Sequence, residues 1–290
     1  MGNCGSDASA DLDEALVRPG GLRWAHAVND REYLQRAIAD DSYSMFETDL
    51  CWNVTHNVPV MGHRATSEGP LESEFTFEEW LDPVLKHNAD HPDNVKGFKL
   101  DFKNVECIKP CVAILKTRVE QGSRLPQVWL NGDIIFGPRP PAGGEHTRLD
   151  PVRFIQDCLG DPPTVIPGVT LSLGFTTGWT IWARFGYKYE EEHINDMIKT
   201  IDERIPPDQP ISFAIRASLA RRSWPQLRRL VDRSWRTARP SLTLWTTDEG
   251  VPEDDLIWIR GVSKTEGFEC HEDCAKGPRA GWWNPFVLRA

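Results

Sequence analysis

No stretch of about twenty apolar residues occurs in this chain, so no membrane-spanning helix is expected. A basic excess is missing as well: 33 Lys and Arg stand against 43 Asp and Glu, a formal net charge of −10. Proteins that neutralise nucleic-acid phosphates carry a basic balance or patch, which excludes nucleic acid as a general partner. A single phosphate stays within reach if a cation or a few local lysines and arginines sit beside it. The N-terminus, MGNCGSDASADLDE, is acidic and has no apolar core, which excludes a secretory signal. Seven cysteines cannot all pair with one another, and with no secretory signal they read as thiols of a reduced, cytoplasmic chain. Cys107 and Cys111, and Cys270 and Cys274, lack the usual zinc-knuckle spacing, so thiols or an occasional disulfide are expected there rather than a metal. There is no repeat at a fixed short period.

What is present alternates. Short apolar runs fall at Leu22–Val28, Ser44–Leu50, Gly97–Lys103, Gln127–Asn131, Val169–Phe175, Ile211–Ala217, Ser241–Thr246 and Leu256–Arg260. Each has the length of a strand. Amphipathic stretches between them predict helices over Asp30–Ala39, Thr76–Asn88, Cys111–Gln121, Asp150–Cys158, Glu190–Ile205 and Trp224–Ser234. Strands alternating with helices predict right-handed crossovers and a parallel sheet. Eight of them predict closure into a (β/α)8 TIM-type barrel, with its site at the C-terminal ends of the strands. The rival, a doubly wound open sheet, would normally show a glycine-rich first turn, and Trp24–Asn29 holds no glycine. Residues 1–20 read as a flexible tail and 21–290 as one barrel domain. The opening Met1-Gly2-Asn3-Cys4-Gly5-Ser6 fits N-myristoylation of Gly2, with Cys4 placed for a second acyl chain. That predicts peripheral membrane contact, stable only if Cys4 also carries lipid.

Side chains alternate across a strand, so Glu47 and Asp49 share one face and Lys99, Asp101 and Lys103 share another. Phe98, Leu100 and Phe102 take the opposite face, which packs on helices. The charged faces must then point into the barrel near its mouth, where burial without compensation is costly. A divalent cation removes the repulsion between the carboxylates. Glu47, Asp49 and Asp101 are a hard oxygen set suited to Mg²⁺ ahead of Ca²⁺, and not to zinc. The bland alternative is an internal ion-pair network of the same five residues without metal. His26 ends the first strand and His63 follows the second, at the same mouth. Two imidazoles there suit phosphodiester cleavage, one removing a proton while the other donates one. Lys103 and Lys99 are phosphate-binding candidates, with Asn131 and Arg216 on later strands. Trp245 reads either as a surface for a lipid or choline-like cation or as a core tryptophan. The remaining histidines, His271 among them, read as surface residues.

At this point the motifs carry a resemblance. Trp24-Ala-His-Ala-Val-Asn29, Phe46-Glu-Thr-Asp-Leu50, Pro59-Val-Met-Gly-His63 and Gly97-Phe-Lys-Leu-Asp-Phe-Lys103 resemble the menorin family. So do Val128–Asp133, Leu171–Thr177, Phe213–Ala217 and Leu242–Thr246, and the likeness runs from about residue 21 to 260. That family is similar to the glycerophosphodiester phosphodiesterases and the venom sphingomyelinase D enzymes. The resemblance implies a barrel in which His26 and His63 are the acid–base pair, Glu47, Asp49 and Asp101 hold a metal, and Lys103 lies near the phosphate. It implies a lipid or small phosphodiester as substrate. His63 is followed by Arg64, where the glycerophosphodiesterases commonly carry Asp. The family also includes extracellular adhesion-complex proteins, so a catalytically silent binding barrel is the alternative the resemblance carries.

Overall fold

The computed structural model describes residues 22–63, 73–138, 148–164, 166, 168–177, 186–232, 238, 240–246 and 250–274. The acylation pattern and the tail read from the sequence lie outside these residues. In chain order the elements are β1 (Trp24–Ala25), α1 (Arg31–Ala39), β2 (Met45–Asn53), β3 (Val58–Met61), α2 (Phe77–Asp90), β4 (Gly97–Phe102), α3 (Val105–Glu120), β5 (Val128–Phe136) and α4 (Pro151–Leu159). There follow β6 (Val169–Thr176), α5 (Glu191–Arg204), β7 (Ile211–Arg216), α6 (Ala217–Ala220), α7 (Trp224–Val231), β8 (Ser241–Trp245), α8 (Glu253–Glu266) and β9 (Cys270–Asp273). None of these helices is long and apolar enough to cross a membrane.

Eight strands run parallel in the order β1-β2-β4-β5-β6-β7-β8-β9, and β3 folds back antiparallel on β2. The result is a nearly closed (β/α)8 barrel. Seven of the eight apolar runs are strands of it, but the eighth is not. Leu256–Arg260 lies inside α8, where Leu256 and Ile259 are buried at helical spacing and Ile257 is exposed. The eighth parallel strand is β9, whose Cys-His-Glu-Asp is polar and escaped a search for apolar runs. The first and last strands also depart from full closure: no ladder joins β1 to β9 among the described residues, and side chains span the seam. Helix α3 starts six residues before the expected Cys111, running through Pro110, which costs one intrahelical hydrogen bond near its start.

Local chemistry sets the frame. Asp30 caps α1 by accepting from the Tyr33 N–H, and Thr76 with Glu79 forms a capping box on α2. Outward-facing Phe46, Leu50, Phe98, Leu100, Leu130 and Leu171 are buried against the helices. The Trp80 indole on α2 donates to the Val28 carbonyl at 2.9 Å and fixes the chain just after β1. Lys96, fully buried before β4, donates to the carbonyls of Asp40 and Tyr43 at 3.0 and 2.7 Å and to Asn94 Oδ1 at 3.0 Å. It ties the loop after α1 to the start of the third parallel strand.

Register carries the inward residues in rows around the barrel. Glu47 pairs with Lys99 and Asp49 with Asp101; Asp101 then pairs with Asn131, Asn131 with Ser172, and Ser172 with Ser212. The floor is closed by Trp24, Met45 and Trp129, with the His271 ring edge-on to Trp129 at 5.0 Å. His271 is therefore part of the barrel floor rather than a surface residue, because it faces inward on β9. Above the floor the carboxylates sit on β2 and β4, while small hydroxyls fill the far wall, where Ser212 and Thr243 hydrogen-bond at 2.7 Å.

Candidate active site

A cavity of about 430 Å³ opens at the C-terminal ends of the strands. His26, His63, Glu47, Asp49, Asp101, Lys99, Lys103, Asn131, Arg216 and Trp245 all line it, so every sequence-predicted candidate inside the barrel arrives at one place. Glu47, Asp49 and Asp101 each offer an oxygen, and these atoms lie within 4.8 Å of one another.

Each carboxylate is held. Glu47 Oε2 accepts from the Ala27 N–H at 2.8 Å, and Ala27 takes φ 53° to present it. That left-handed backbone at a residue with a Cβ is strain stored beside the site. Asp49 Oδ2 accepts from the Asn29 amide at 2.7 Å, and Asn29 Oδ1 in turn accepts from the Asp49 N–H. Asp101 Oδ1 accepts from the Asn131 amide at 2.7 Å, and Asn131 Oδ1 accepts from Ser172 at 2.6 Å. Lys103 bridges the pair, 2.9 Å from Asp49 Oδ1 and 2.7 Å from Asp101 Oδ2.

These contacts set the charges. Burial pushes the Glu47 carboxyl up to about 7, against the pull of His26 and with help from Asp49. Burial acts the same way on Asp49, but the Lys103 ammonium and the hydrogen bonds from Lys103 and Asn29 outweigh it and hold Asp49 at about 2. Lys103 stays charged well above the usual range, because Asp101 and Asp49 outweigh its own burial. An all-oxygen set of three carboxylates on two neighbouring strands fits a hard divalent cation, and would hold it through Glu47, Asp49 and Asp101.

The chain matches the model of the menorin N-terminal domain over residues 21–267. It is also 32% identical to Protein FAM151B from Homo sapiens over 244 residues, covering 82% of this chain and 78% of that protein. The chain belongs to the menorin family. No solved structure matches it.

A further carboxylate of the cavity in this menorin-family chain escaped the sequence reading. Asp273, on β9, lies beyond the matched residues. Its Oδ2 is 3.0 Å from His26 Nδ1, and Glu47 Oε2 is 3.2 Å from the same nitrogen. Asp273 first and Glu47 second raise the His26 imidazole from 6.5 to about 10, against burial and Lys99. Half of the ring stays open to the cavity, its side chain being 52% exposed, so solvent screens part of this effect. His26 is held as a cation whose second nitrogen has no hydrogen-bond partner among the described residues, and Asp273 positions the ring. The only available signal was an acid two residues from Cys270-His271 on a strand that reads as a polar loop.

His63 is exposed at the rim after β3, and it helps keep Asp49 ionised. The Gly62 N–H donates to the Asp49 carbonyl at 3.0 Å, which holds this loop over β2. Arg216 is buried, with its guanidinium 5.1 Å from the centre of the Trp245 ring. Trp245 therefore already carries a cation on one face.

The raised His26 gives a pH prediction with a definite sign. A group whose folded pKa is raised stabilises the fold fully below its unfolded value, here about 6.5, and loses that contribution as pH rises through about 10. In metal-free buffer, Asp273→Asn should lower the melting temperature by a constant amount between about pH 5 and 6.5, where Asp273 is ionised and His26 charged. The gap to wild type should then close steadily towards pH 10. A gap that does not change with pH would show that His26 is not held charged by Asp273.

Proposed function

We propose that this chain is a divalent-metal-dependent phosphodiesterase acting on a lipid or small phosphodiester. The observation that carries the reading is the convergence of three carboxylate oxygens within 4.8 Å in a cavity that also holds two imidazoles and two lysines. That inventory matches what diester cleavage requires: charge neutralisation on the phosphate, a proton acceptor for the attacking oxygen and a proton donor for the leaving oxygen. A bound Mg²⁺ or Ca²⁺ would supply the first by taking up negative charge on the phosphate. Lys99, buried and aimed into the cavity, holds a phosphate oxygen. His63 takes the proton from the attacking hydroxyl as the new P–O bond forms. His26, charged through Asp273 and Glu47, gives its proton to the departing alkoxide as the old P–O bond breaks.

A second reading has its own observation. Lys103 already pairs with both Asp49 and Asp101, and His26 with both Glu47 and Asp273, so each of these four carboxylates has an ion-pair partner without any metal. That favours a binding barrel that keeps the site as structure.

Metal separates the two. Mg²⁺ or Ca²⁺ at one hundred times its dissociation constant should stabilise the wild type by about 2.7 kcal/mol. The double variant Glu47→Gln with Asp101→Asn should show no such gain in thermal melts. A wild type indifferent to both ions supports the binding barrel, and a double variant that still responds places the cation elsewhere.

A further inference from the structure

Among the described residues, two charged side chains in the cavity have neither a hydrogen-bond nor an ion-pair partner: Lys99, 4% exposed, and Asp133. Lys99 has a role in the reading above, but Asp133 has none. It lies two residues beyond Asn131 on β5, on the same inward face, and so one row further towards the mouth than the metal carboxylates. Its neighbour across the ladder is Gly174 on β6. A Cβ at Gly174 would collide with Asp133 Oδ1, so the glycine is what lets this carboxylate lean into the lumen. Burial works against its charge and lifts it to about 6, with Asp101 adding to the effect. A half-buried carboxylate that faces the cavity with no partner among the described residues is a costly arrangement unless water or a ligand supplies the donor.

The charges decide which donor. Among the described residues, five carboxylates line the cavity against three basic side chains and the protonated His26. One divalent cation and one diester monoanion make that set neutral. An ammonium group would add unbalanced positive charge, and it would do so next to Arg216, which already covers Trp245. A hydroxyl satisfies Asp133 without disturbing the balance. We infer that Asp133, set over Gly174, accepts a hydrogen bond from a free hydroxyl on the substrate's alcohol group, and so selects hydroxyl-bearing diesters over choline-like ones. The inference rests on the phosphodiesterase reading, since it takes the phosphate to lie on the Lys99 side.

Product-like monoesters test it without requiring turnover. Glycerol 3-phosphate, propyl phosphate and phosphocholine would be titrated calorimetrically into the full chain with Mg²⁺ present. A hydrogen bond to a charged acceptor predicts that glycerol 3-phosphate binds about 10- to 100-fold more tightly than propyl phosphate. Asp133→Leu should bring that ratio to about one while propyl phosphate still binds. Gly174→Ala should lower it too, by displacing a carboxylate that is still present. If Asp133→Leu does not fold, the near-isosteric Asp133→Asn should still reduce the ratio at least threefold. Equal binding of the first two ligands by wild type, or an unchanged ratio in the Asp133 variants, overturns the assignment while leaving the phosphate site intact. Tighter binding of phosphocholine than of glycerol 3-phosphate overturns the choice of hydroxyl. Binding of none of the three overturns the phosphodiesterase reading and this inference with it.

Discussion

Replacing His26 or His63 with Asn is expected to lower turnover of a reactive phosphodiester by about 10²–10⁴-fold each, with the fold retained. In-line displacement puts the attacking and leaving oxygens on opposite sides of phosphorus, so one imidazole cannot serve both. The two rings enter the cavity from different elements: His26 at the end of β1 and His63 on the loop after β3. Their chemical situations differ as well. His26 is clamped by Asp273 and Glu47 and carries a proton at neutral pH, which suits the donor. His63 stands exposed at the rim, where an attacking hydroxyl can reach it. Asn keeps polarity and much of the volume, so lost activity would not simply report unfolding, and circular dichroism melts check that point. The measurement is steady-state hydrolysis of a chromogenic diester with Mg²⁺, Ca²⁺ or Mn²⁺. An active wild type with an equally active His26→Asn would move the acid to another residue. An inactive wild type would leave the binding barrel as the function.

The largest stability effect is expected far from the site, at Lys96. Its ammonium is completely buried, and three neutral oxygens, from Asp40, Tyr43 and Asn94, are its entire solvation. Burial lowers its pKa against the pull of the nearby Asp41 and Asp40 carboxylates, and the three acceptors satisfy its N–H donors. Lys96→Met fills much of the space but leaves those acceptors without a donor. A loss of about 3 kcal/mol is expected in urea unfolding, the range for removing one member of a buried, fully satisfied polar set. A loss below about 1 kcal/mol would mean that water reaches the loop and replaces the ammonium.

Much of the fold was legible because parallel barrel strands buried on both faces read as apolar runs. Gly97–Lys103 was the clearest, since its outward Phe98, Leu100 and Phe102 mark the strand while inward Lys99 and Asp101 mark the site. The same rule failed on the last strand. Cys270–Asp273 has its inward positions occupied by His271 and Asp273 and has no apolar run to offer, whereas Leu256–Arg260 does. Helical signals over the latter were available: Glu253, Asp254 and Asp255 in the first turn, and Gly267 in a left-handed C-cap. Reading them would have freed the eighth strand position and drawn attention to Asp273. Glu47, Asp49 and Asp101 could be grouped from spacing alone because they share one strand or two adjacent ones. Partnerships across the seam, such as His26 with Asp273 247 residues away, leave no periodic trace. Asp133 left a trace only jointly with Gly174, a pairing that the register reveals and the linear sequence does not.

Among the described residues no ladder joins β1 to β9, which gives the barrel a clasp in place of a weld. Six of its seven neighbouring strand pairs are joined along at least four residues, while the edges meet through the charged contact of His26 with Asp273. In the proposed reaction the same imidazole gives up its proton to the leaving group. The clasp is then an ion pair while His26 is charged and a plain Nδ1–H hydrogen bond to Asp273 after transfer, until a proton returns. The strength of the seam would therefore follow the protonation state of the group assigned to the chemistry.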